Sequence, residues 1–153
     1  MRLPSVLAAV LAAGLAVLLS ACAGTSGGAP TTSPADFGSF AATLSARGVS
    51  LTNVVAGDAG CTDPTLASTA ISFRVSGLDQ PTPVAARVFL FGSGASYDRL
   101  RQSVDACASS FVSDPSAYVS IDASPYVLVG QGPWGPQLQA ALKAALEGAA
   151  AGR

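Results

Sequence analysis

Histidine is absent from this chain of 153 residues, and lysine occurs once, at Lys143. Without an imidazole the chain cannot build a Ser-His-Asp or Cys-His catalytic arrangement, and a zinc site would lack its usual nitrogen ligand. Beyond residue 34 no Gly-x-Ser-x-Gly segment occurs, and residues 92–94 are too short for a phosphate loop and lack its lysine. These absences exclude the common hydrolase and nucleotide-binding signatures.

Charge is also scarce, because charged residues make up only 11% of the chain and the formal net charge is −1. Proteins that bind nucleic acid cluster lysine and arginine into a basic patch, and no such stripe occurs here. We therefore expect no nucleic acid among the partners. Asp58 and Asp63 could ligate calcium, but carboxylates beside glycine and proline are better explained by turns. We expect no metal and no cofactor.

The N-terminus has the three regions of a secretory signal peptide. Arg2 supplies a positive charge, residues 6–19 form an apolar core, and the small residues Ser20 and Ala21 precede Cys22. The core is shorter than the roughly 20 apolar residues that a membrane-spanning helix needs. We therefore expect residues 1–21 to be a signal peptide that is removed.

The motif Leu19-Ser20-Ala21-Cys22 resembles the lipobox of bacterial lipoproteins, whose cysteine becomes the lipidated first residue of the mature protein. The thiolate is the nucleophile for this acylation, and two or more acyl chains hold a protein stably on a bilayer. With its two later cysteines and residues 124–134, the chain resembles small uncharacterised lipoproteins of high-GC bacteria. That resemblance implies acylation of Cys22 but does not indicate any particular activity. Ordinary cleavage after Ala23 is the alternative, because Ala21-Cys22-Ala23 also fits the small-x-small pattern.

Acylation of Cys22 would hold the rest of the chain on the extracytoplasmic side of the cell membrane or the outer membrane. Residues 22–34 carry no charge and no large side chain, which predicts a flexible linker with a root-mean-square reach of roughly 20 Å. We expect residues 35–149 to form one globular domain and residues 150–153 to be a disordered tail.

Hydrophobic periodicity in the domain predicts the element order αβββαββα. Apolar residues recur at helical spacing in residues 37–44, 97–111 and 138–146, alternate in residues 71–75, and form short runs at residues 84–91 and 126–129. Two prolines within residues 78–83 predict a loop there, outside the sheet. The predicted fold class is α+β, a single small domain whose antiparallel sheet of four or five strands has helices packed on one face.

Cys61 and Cys107 remain once Cys22 carries lipid, and an even pair of cysteines in an exported protein predicts a disulfide. Cys107 falls on the apolar stripe of the predicted helix at residues 97–111, so it should face the core. A bridge between the two would stabilise the domain by roughly 4 kcal/mol on the chain-entropy argument.

Residues 131–136 hold a lone tryptophan, Trp134, between two Gly-Pro steps. Trp134 either caps the core or forms an exposed aromatic platform for a ligand or the nearby bilayer. Tyr118 and Tyr126 lie close to it in sequence, so Trp134, Tyr118 and Tyr126 together are the candidate ligand-binding residues.

These observations favour a membrane-anchored cell-envelope lipoprotein that acts as a non-catalytic binding or adaptor module. Its partners would be the membrane, through the N-terminal lipid, and an envelope protein or a small ligand. The alternative is a carrier or sensor of a small apolar or aromatic-stacking ligand. A histidine-free hydrolase would need aspartates such as Asp58, Asp63, Asp98 or Asp105 to converge in a cleft.

Mass spectrometry of the protein purified from membranes is expected to find a diacylglyceryl group on Cys22, with no residue preceding it. Cys22→Ser should abolish that modification, because a hydroxyl does not replace the thiolate nucleophile. An unmodified N-terminus at Gly24 would exclude the lipid anchor.

Overall fold

The computed structural model describes residues 34–152, with side-chain surroundings from Phe37 onward. The expected signal peptide (1–21), Cys22 and residues 23–33 of the linker lie outside this range. The elements are α1 (Pro34–Ala46), β1 (Val49–Ala56), α2 (Pro64–Ala67), β2 (Ala70–Gly77), β3 (Gln80–Leu90), α3 (Gly94–Ala108), β4 (Tyr118–Ala123), β5 (Tyr126–Gln131) and α4 (Pro136–Ala151), with a 3-10 turn at Pro115–Ala117. Within this range no helix is both long and apolar enough to cross a bilayer.

The five strands form one sheet in the order β1-β2-β3-β5-β4, and every neighbouring pair is antiparallel. The sheet consists of the β2–β3 hairpin, the β4–β5 hairpin paired to it through β3 and β5, and β1 at one edge. The predicted α+β class and the antiparallel sheet of four or five strands are confirmed. The predicted element order also holds, with the short helix α2 as an addition.

Helices cover both faces of this sheet, because β5 is buried on both of its sides. Tyr126 and Leu128 pack with α1 and α4, while Val127 and Val129 pack with α2 and α3. Alternate residues of a strand point to opposite faces. The expectation that all helices pack on one face was therefore wrong. Continuous apolar strands leave no face for water, so each side needs its own helical cover.

The apolar stripes predicted for the helices are confirmed. In α1, the ring centroids of Phe37 and Phe40 lie 5.9 Å and 6.2 Å from that of Phe73 on β2. In α3, Val104 and Cys107 are buried. In α4 the whole predicted stripe is buried: Leu138, Ala141, Leu142, Ala145 and Leu146. Each helix is thus held by one apolar face against the sheet.

Two boundaries differ from expectation. β3 begins at Gln80 and contains Pro81 and Pro83, although a loop was predicted there. The pairing of β3 with β5 starts only at Ala86, so among the described residues β2 is the one partner strand of residues 80–85. This part of β3 is therefore an edge of the sheet, where proline is tolerated. At the other end, α4 continues to Ala151, beyond the expected domain limit at residue 149, because residues 149 and 150 pack against the core.

The turn between β2 and β3 holds the start of α4. Asp79 Oδ2 accepts a hydrogen bond from the backbone N–H of Gln137 at 2.8 Å, and Oδ1 accepts one from Leu138 at 3.0 Å. Gly135, which precedes the helix, has no side chain to do this. The two hydrogen bonds hold the pKa of Asp79 below its ordinary value of 3.8. Asp79 is thus a helix cap supplied from a distant turn.

Replacing this cap is expected to destabilise the domain. Asp79→Ala removes both acceptors and should lower the urea midpoint with an unchanged slope. Asp79→Asn keeps one oxygen, so its midpoint should lie between those of the parent and Asp79→Ala. Because the pKa of Asp79 is lowered in the folded state, its stabilising effect is present above about pH 4 and is lost as the pH falls through the folded-state pKa. Urea denaturation followed by circular dichroism measures this. Equal midpoints for Asp79→Ala and the parent at neutral pH would exclude the cap.

Candidate functional site

A disulfide joins Cys61 to Cys107 across a sequence separation of 46 residues, as predicted. Cys61 lies in the loop before α2, and Cys107 lies in the last turn of α3. The bridge therefore fastens the segment that carries α2 to the helix α3. Two elements that are far apart in sequence become the two sides of one surface feature.

The loop at residues 57–63 covers a partly buried arginine of β3. The Arg87 guanidinium lies 4.1 Å from the centre of the Phe111 ring and 3.6 Å from Asp58 Oδ2. A hydrogen bond with Ser72 and the charge of Arg87 lower the pKa of Asp58 despite its burial. Gly60 has a positive φ of 79°, and a Cβ there would lie 2.6 Å from both Arg87 and Phe111. Only glycine allows the loop to lie so close.

An apolar cleft of about 410 Å³ opens between α2 and α3. The α2 side contributes Pro64, Thr65 and Ser68, and the α3 side contributes Ser96, Arg99 and Leu100. Phe91, which follows β3, forms the base and is fully buried. Its ring stacks on Phe89 at 6.5 Å and meets Tyr97 edge-on at 6.1 Å. The base of the cleft is therefore rigid and aromatic.

The hydroxyl groups on the α2 side of the cleft are already engaged within the chain. Thr69 Oγ1 donates to Leu66 O at 2.9 Å, Thr65 Oγ1 donates to Asp63 Oδ1 at 2.6 Å, and Ser68 Oγ donates to Thr65 O at 3.1 Å. Because their protons are used in these bonds, the α2 side presents mainly hydrocarbon to the cleft. A ligand would meet a surface that favours apolar groups.

The three predicted aromatic residues do not form one surface. Trp134 is 3% exposed and Tyr126 is 0% exposed, and both lie in the core beneath α1 and α4. Trp134 Nε1 donates to Gln131 O at 2.9 Å, and the absence of a side chain at Gly130 gives the indole its space, since a Cβ there would lie 2.5 Å from it. Tyr118 packs with the other core cluster, beneath α2 and α3. Trp134 is thus a core cap, and the expected aromatic platform is not formed by these residues.

A polar network links α3 to the edge strand β4. Arg101 donates to Asp105 Oδ1 at 2.6 Å, to Ser120 Oγ at 2.8 Å and to both oxygens of Asp122. Tyr97 donates from its hydroxyl to Asp122 Oδ1 at 2.8 Å. One guanidinium therefore holds two carboxylates from two elements in a charge-assisted cluster.

The network shifts the ionisation of its members. Burial raises the pKa of Asp122, but hydrogen bonds from Arg101 and Tyr97 outweigh it, so the pKa lies below 3.8. Burial and a hydrogen bond to Asp105 raise the pKa of Tyr118 to about 12. Near neutral pH Asp122 therefore stays charged, and the phenols of Tyr97 and Tyr118, whose pKa values are raised, stay protonated. Tyr97 and Tyr118 can therefore donate the hydrogen bonds that Asp122 and Asp105 accept.

The aspartates do not converge in one cleft. Asp58 pairs with Arg87, Asp63 caps α2 by accepting from the backbone N–H of Thr65, and Asp105 belongs to the Arg101 network. In the described part of the chain no three metal-ligating side chains group together. The turn interpretation of Asp58 and Asp63 is confirmed, since each accepts a hydrogen bond from its own turn.

Comparison of the chain with known protein families, with characterised proteins and with solved structures found no significant match. The cleft between α2 and α3 offers a ligand a concave and mainly apolar surface.

Removing the Asp122 charge tests the α3–β4 network. Asp122→Asn should cost about 1 kcal/mol at neutral pH, a value reduced for partial exposure. Because the pKa of Asp122 is lowered on folding, the difference from the parent should be complete above about pH 4 and should shrink as the pH falls through the folded-state pKa.

Urea denaturation at several pH values measures this difference. Asp98→Asn is the matched control, because Asp98 lies exposed on α3 with no bonded partner identified among the described residues, and it should behave like the parent. A penalty for Asp122→Asn that did not change with pH would show that the charge contributes nothing.

Proposed function

We propose that this chain is a lipid-anchored protein of the bacterial cell envelope whose domain is a non-catalytic binding module. The cleft between α2 and α3 is proposed as its ligand site, and this cleft is the observation that carries the proposal. Its volume of about 410 Å³ lies within the range of small-molecule sites, which is roughly 300–1,000 Å³. This volume favours a carrier or sensor of a small apolar ligand among the alternatives that the sequence left open.

The chemistry of the cleft supports binding over catalysis. Its lining has no carboxylate, cysteine or lysine, and the chain has no histidine to act as a general base. General acid–base catalysis needs such a group within hydrogen-bond reach of the reacting atoms. The guanidinium of Arg99 has hydrogen-bond donors and no acceptor, so it offers no general base. The lining suits an apolar guest held by shape.

The position of the cleft supports a role close to a membrane. The turn that joins α1 to β1 lies at the end of the sheet where β2 finishes, because Val49 pairs with Gly77. From that turn, α1 extends back along the sheet, and Phe37 near its start contacts Phe73 on β2. Pro34 therefore lies towards the end of the sheet where β2 begins. The cleft opens at that same end, on the other face, because Thr69 precedes β2. A linker from Cys22 would reach the domain at the end that carries the cleft.

A second candidate is an adaptor that pairs with an envelope protein through β1. This strand is an edge of the sheet, and Val54 and Val55 are 48% and 51% exposed on it. However, the pairing of β1 with β2 is interrupted between Thr52 and Val55, and Asn53 has a φ of 52°. Such a bulge discourages the addition of another strand. The edge is thus a weaker site than the cleft.

Blocking the cleft tests the proposal. The full mature chain with Cys22→Ser, exported with a cleavable leader and purified without detergent, is titrated with N-phenyl-1-naphthylamine, a neutral apolar dye that fluoresces when bound. We expect saturable fluorescence from the parent. Ser96→Trp puts an indole on the α3 side of the cleft and should weaken dye binding about tenfold or more, which is about 1.4 kcal/mol.

Gln102→Trp is the matched control, because it adds the same indole to an exposed position of α3 outside the cleft. It should bind the dye like the parent. Peptide mapping of the Cys61–Cys107 bridge and circular dichroism show that each variant is folded. Equal dye binding by Ser96→Trp and Gln102→Trp would reject the cleft as the site.

A further inference from the structure

We infer that the cleft binds a single-chain amphiphile with an anionic head group, drawn from the bilayer next to the domain, and that Arg99 binds the head. This inference rests on the proposed function of the cleft and specifies its ligand class. The cleft has a positive charge at its rim, an apolar lining, room for a small ligand and a place at the end of the sheet where β2 begins.

Arg99 brings a positive charge to the cleft with no carboxylate to neutralise it. Arg87 pairs with Asp58, and Arg101 pairs with Asp105 and Asp122. Among the described residues no carboxylate lies within ion-pair distance of Arg99. A planar guanidinium with free donors binds a carboxylate or phosphate through paired hydrogen bonds. The rim is therefore complementary to an anion.

The remainder of the lining favours a hydrocarbon chain and contains no acidic residue. Pro64 and Leu100 present apolar surface to the cleft. The nearest carboxylate along the α2 side, that of Asp63, accepts hydrogen bonds from both the backbone N–H and the hydroxyl of Thr65. Asp63 thus serves as a helix cap outside the lining, and Arg99 is the charged residue of the lining itself.

The volume of the cleft suits one chain better than two. At about 410 Å³ it lies towards the lower end of the range of small-molecule sites, roughly 300–1,000 Å³. A single acyl chain matches a site of this size better than the two long chains of an ordinary phospholipid. A fatty acid is the simplest molecule that combines such a chain with an anionic head.

The source of the ligand follows from where the chain enters the domain. The cleft and the start of α1 share one end of the sheet, and only 11 residues separate Cys22 from Pro34. A flexible linker of that length has a root-mean-square reach of roughly 20 Å, so an acylated Cys22 would hold the domain close to the bilayer. The cleft would thus stay near the surface from which a single-chain amphiphile leaves.

Photolabelling of the acylated protein in phosphatidylcholine vesicles tests this inference. The vesicles carry one of three photoactivatable dodecyl probes, with a carboxylate, a hydroxyl or a trimethylammonium head. Peptide mass spectrometry then measures the labelling of residues 64–69 and 91–100. We expect the carboxylate probe to label these peptides about tenfold more than the other two, because it alone forms a charge-assisted pair.

Arg99→Gln should reduce labelling by the carboxylate probe to the level of the hydroxyl probe, and Arg99→Lys should restore part of the preference. Arg47→Gln is the matched control, because Arg47 is an exposed arginine in the α1–β1 turn. It should label like the parent.

The outcomes separate this inference from the proposed function. The three probes could label the cleft peptides equally, with no effect of Arg99→Gln and with loss of labelling in Ser96→Trp. That result would overturn the anionic ligand and leave the binding cleft in place. If no probe labelled the cleft peptides more than the rest of the chain, and Ser96→Trp changed nothing, both the anionic ligand and the binding cleft would be overturned.

Discussion

The burial of β5 and of the second half of β3, residues 86–90, on both faces is the constraint on which the structure depends. Strands that are apolar on both sides cannot leave a face to water, so each face needs a layer of helices. The long helices α1 and α4 supply one layer and pack against each other. The other layer consists of α3 and the four-residue α2, and these two leave a gap between them. The cleft results from this unequal cover.

The disulfide holds α2 beside α3 in the layer that covers the second face of the sheet. The segment that carries α2 contributes only a few buried side chains, such as Ala59 and Leu66, and so little of its position is secured by packing. The bridge from Cys61 to Cys107 supplies the missing restraint, and Gly60 allows the loop to close over Arg87. One covalent bond thus fixes both the cover of a partly buried cation and one wall of the cleft.

Patterns with a local cause could be predicted from the sequence, and contacts between distant segments could not. The stripes of α3 and α4 and the pairing of the two cysteines follow from spacing and compartment. The unbroken apolar run at residues 126–129 already indicates two buried faces, but it does not say which helices cover them. The signals for α2, Asp63 as cap and Pro64 in its first turn, are present, yet four residues are too few to show periodicity. Arg101 meets Asp122 only because α3 lies over β4, which no local pattern reports.

The same bond that shapes the cleft also ties its formation to a compartment. Disulfides persist outside the cytoplasm, where thiols are not kept reduced. Under reducing conditions the α2 segment would lose its restraint, and the wall formed by Pro64 and Thr65 would no longer face α3 in one position. If the chain is exported as proposed, the cleft would gain its fixed shape only outside the cytoplasm. A lipobox cysteine would hold the chain at that side of the membrane, so the anchor and the disulfide would act at the same place, by independent chemistry.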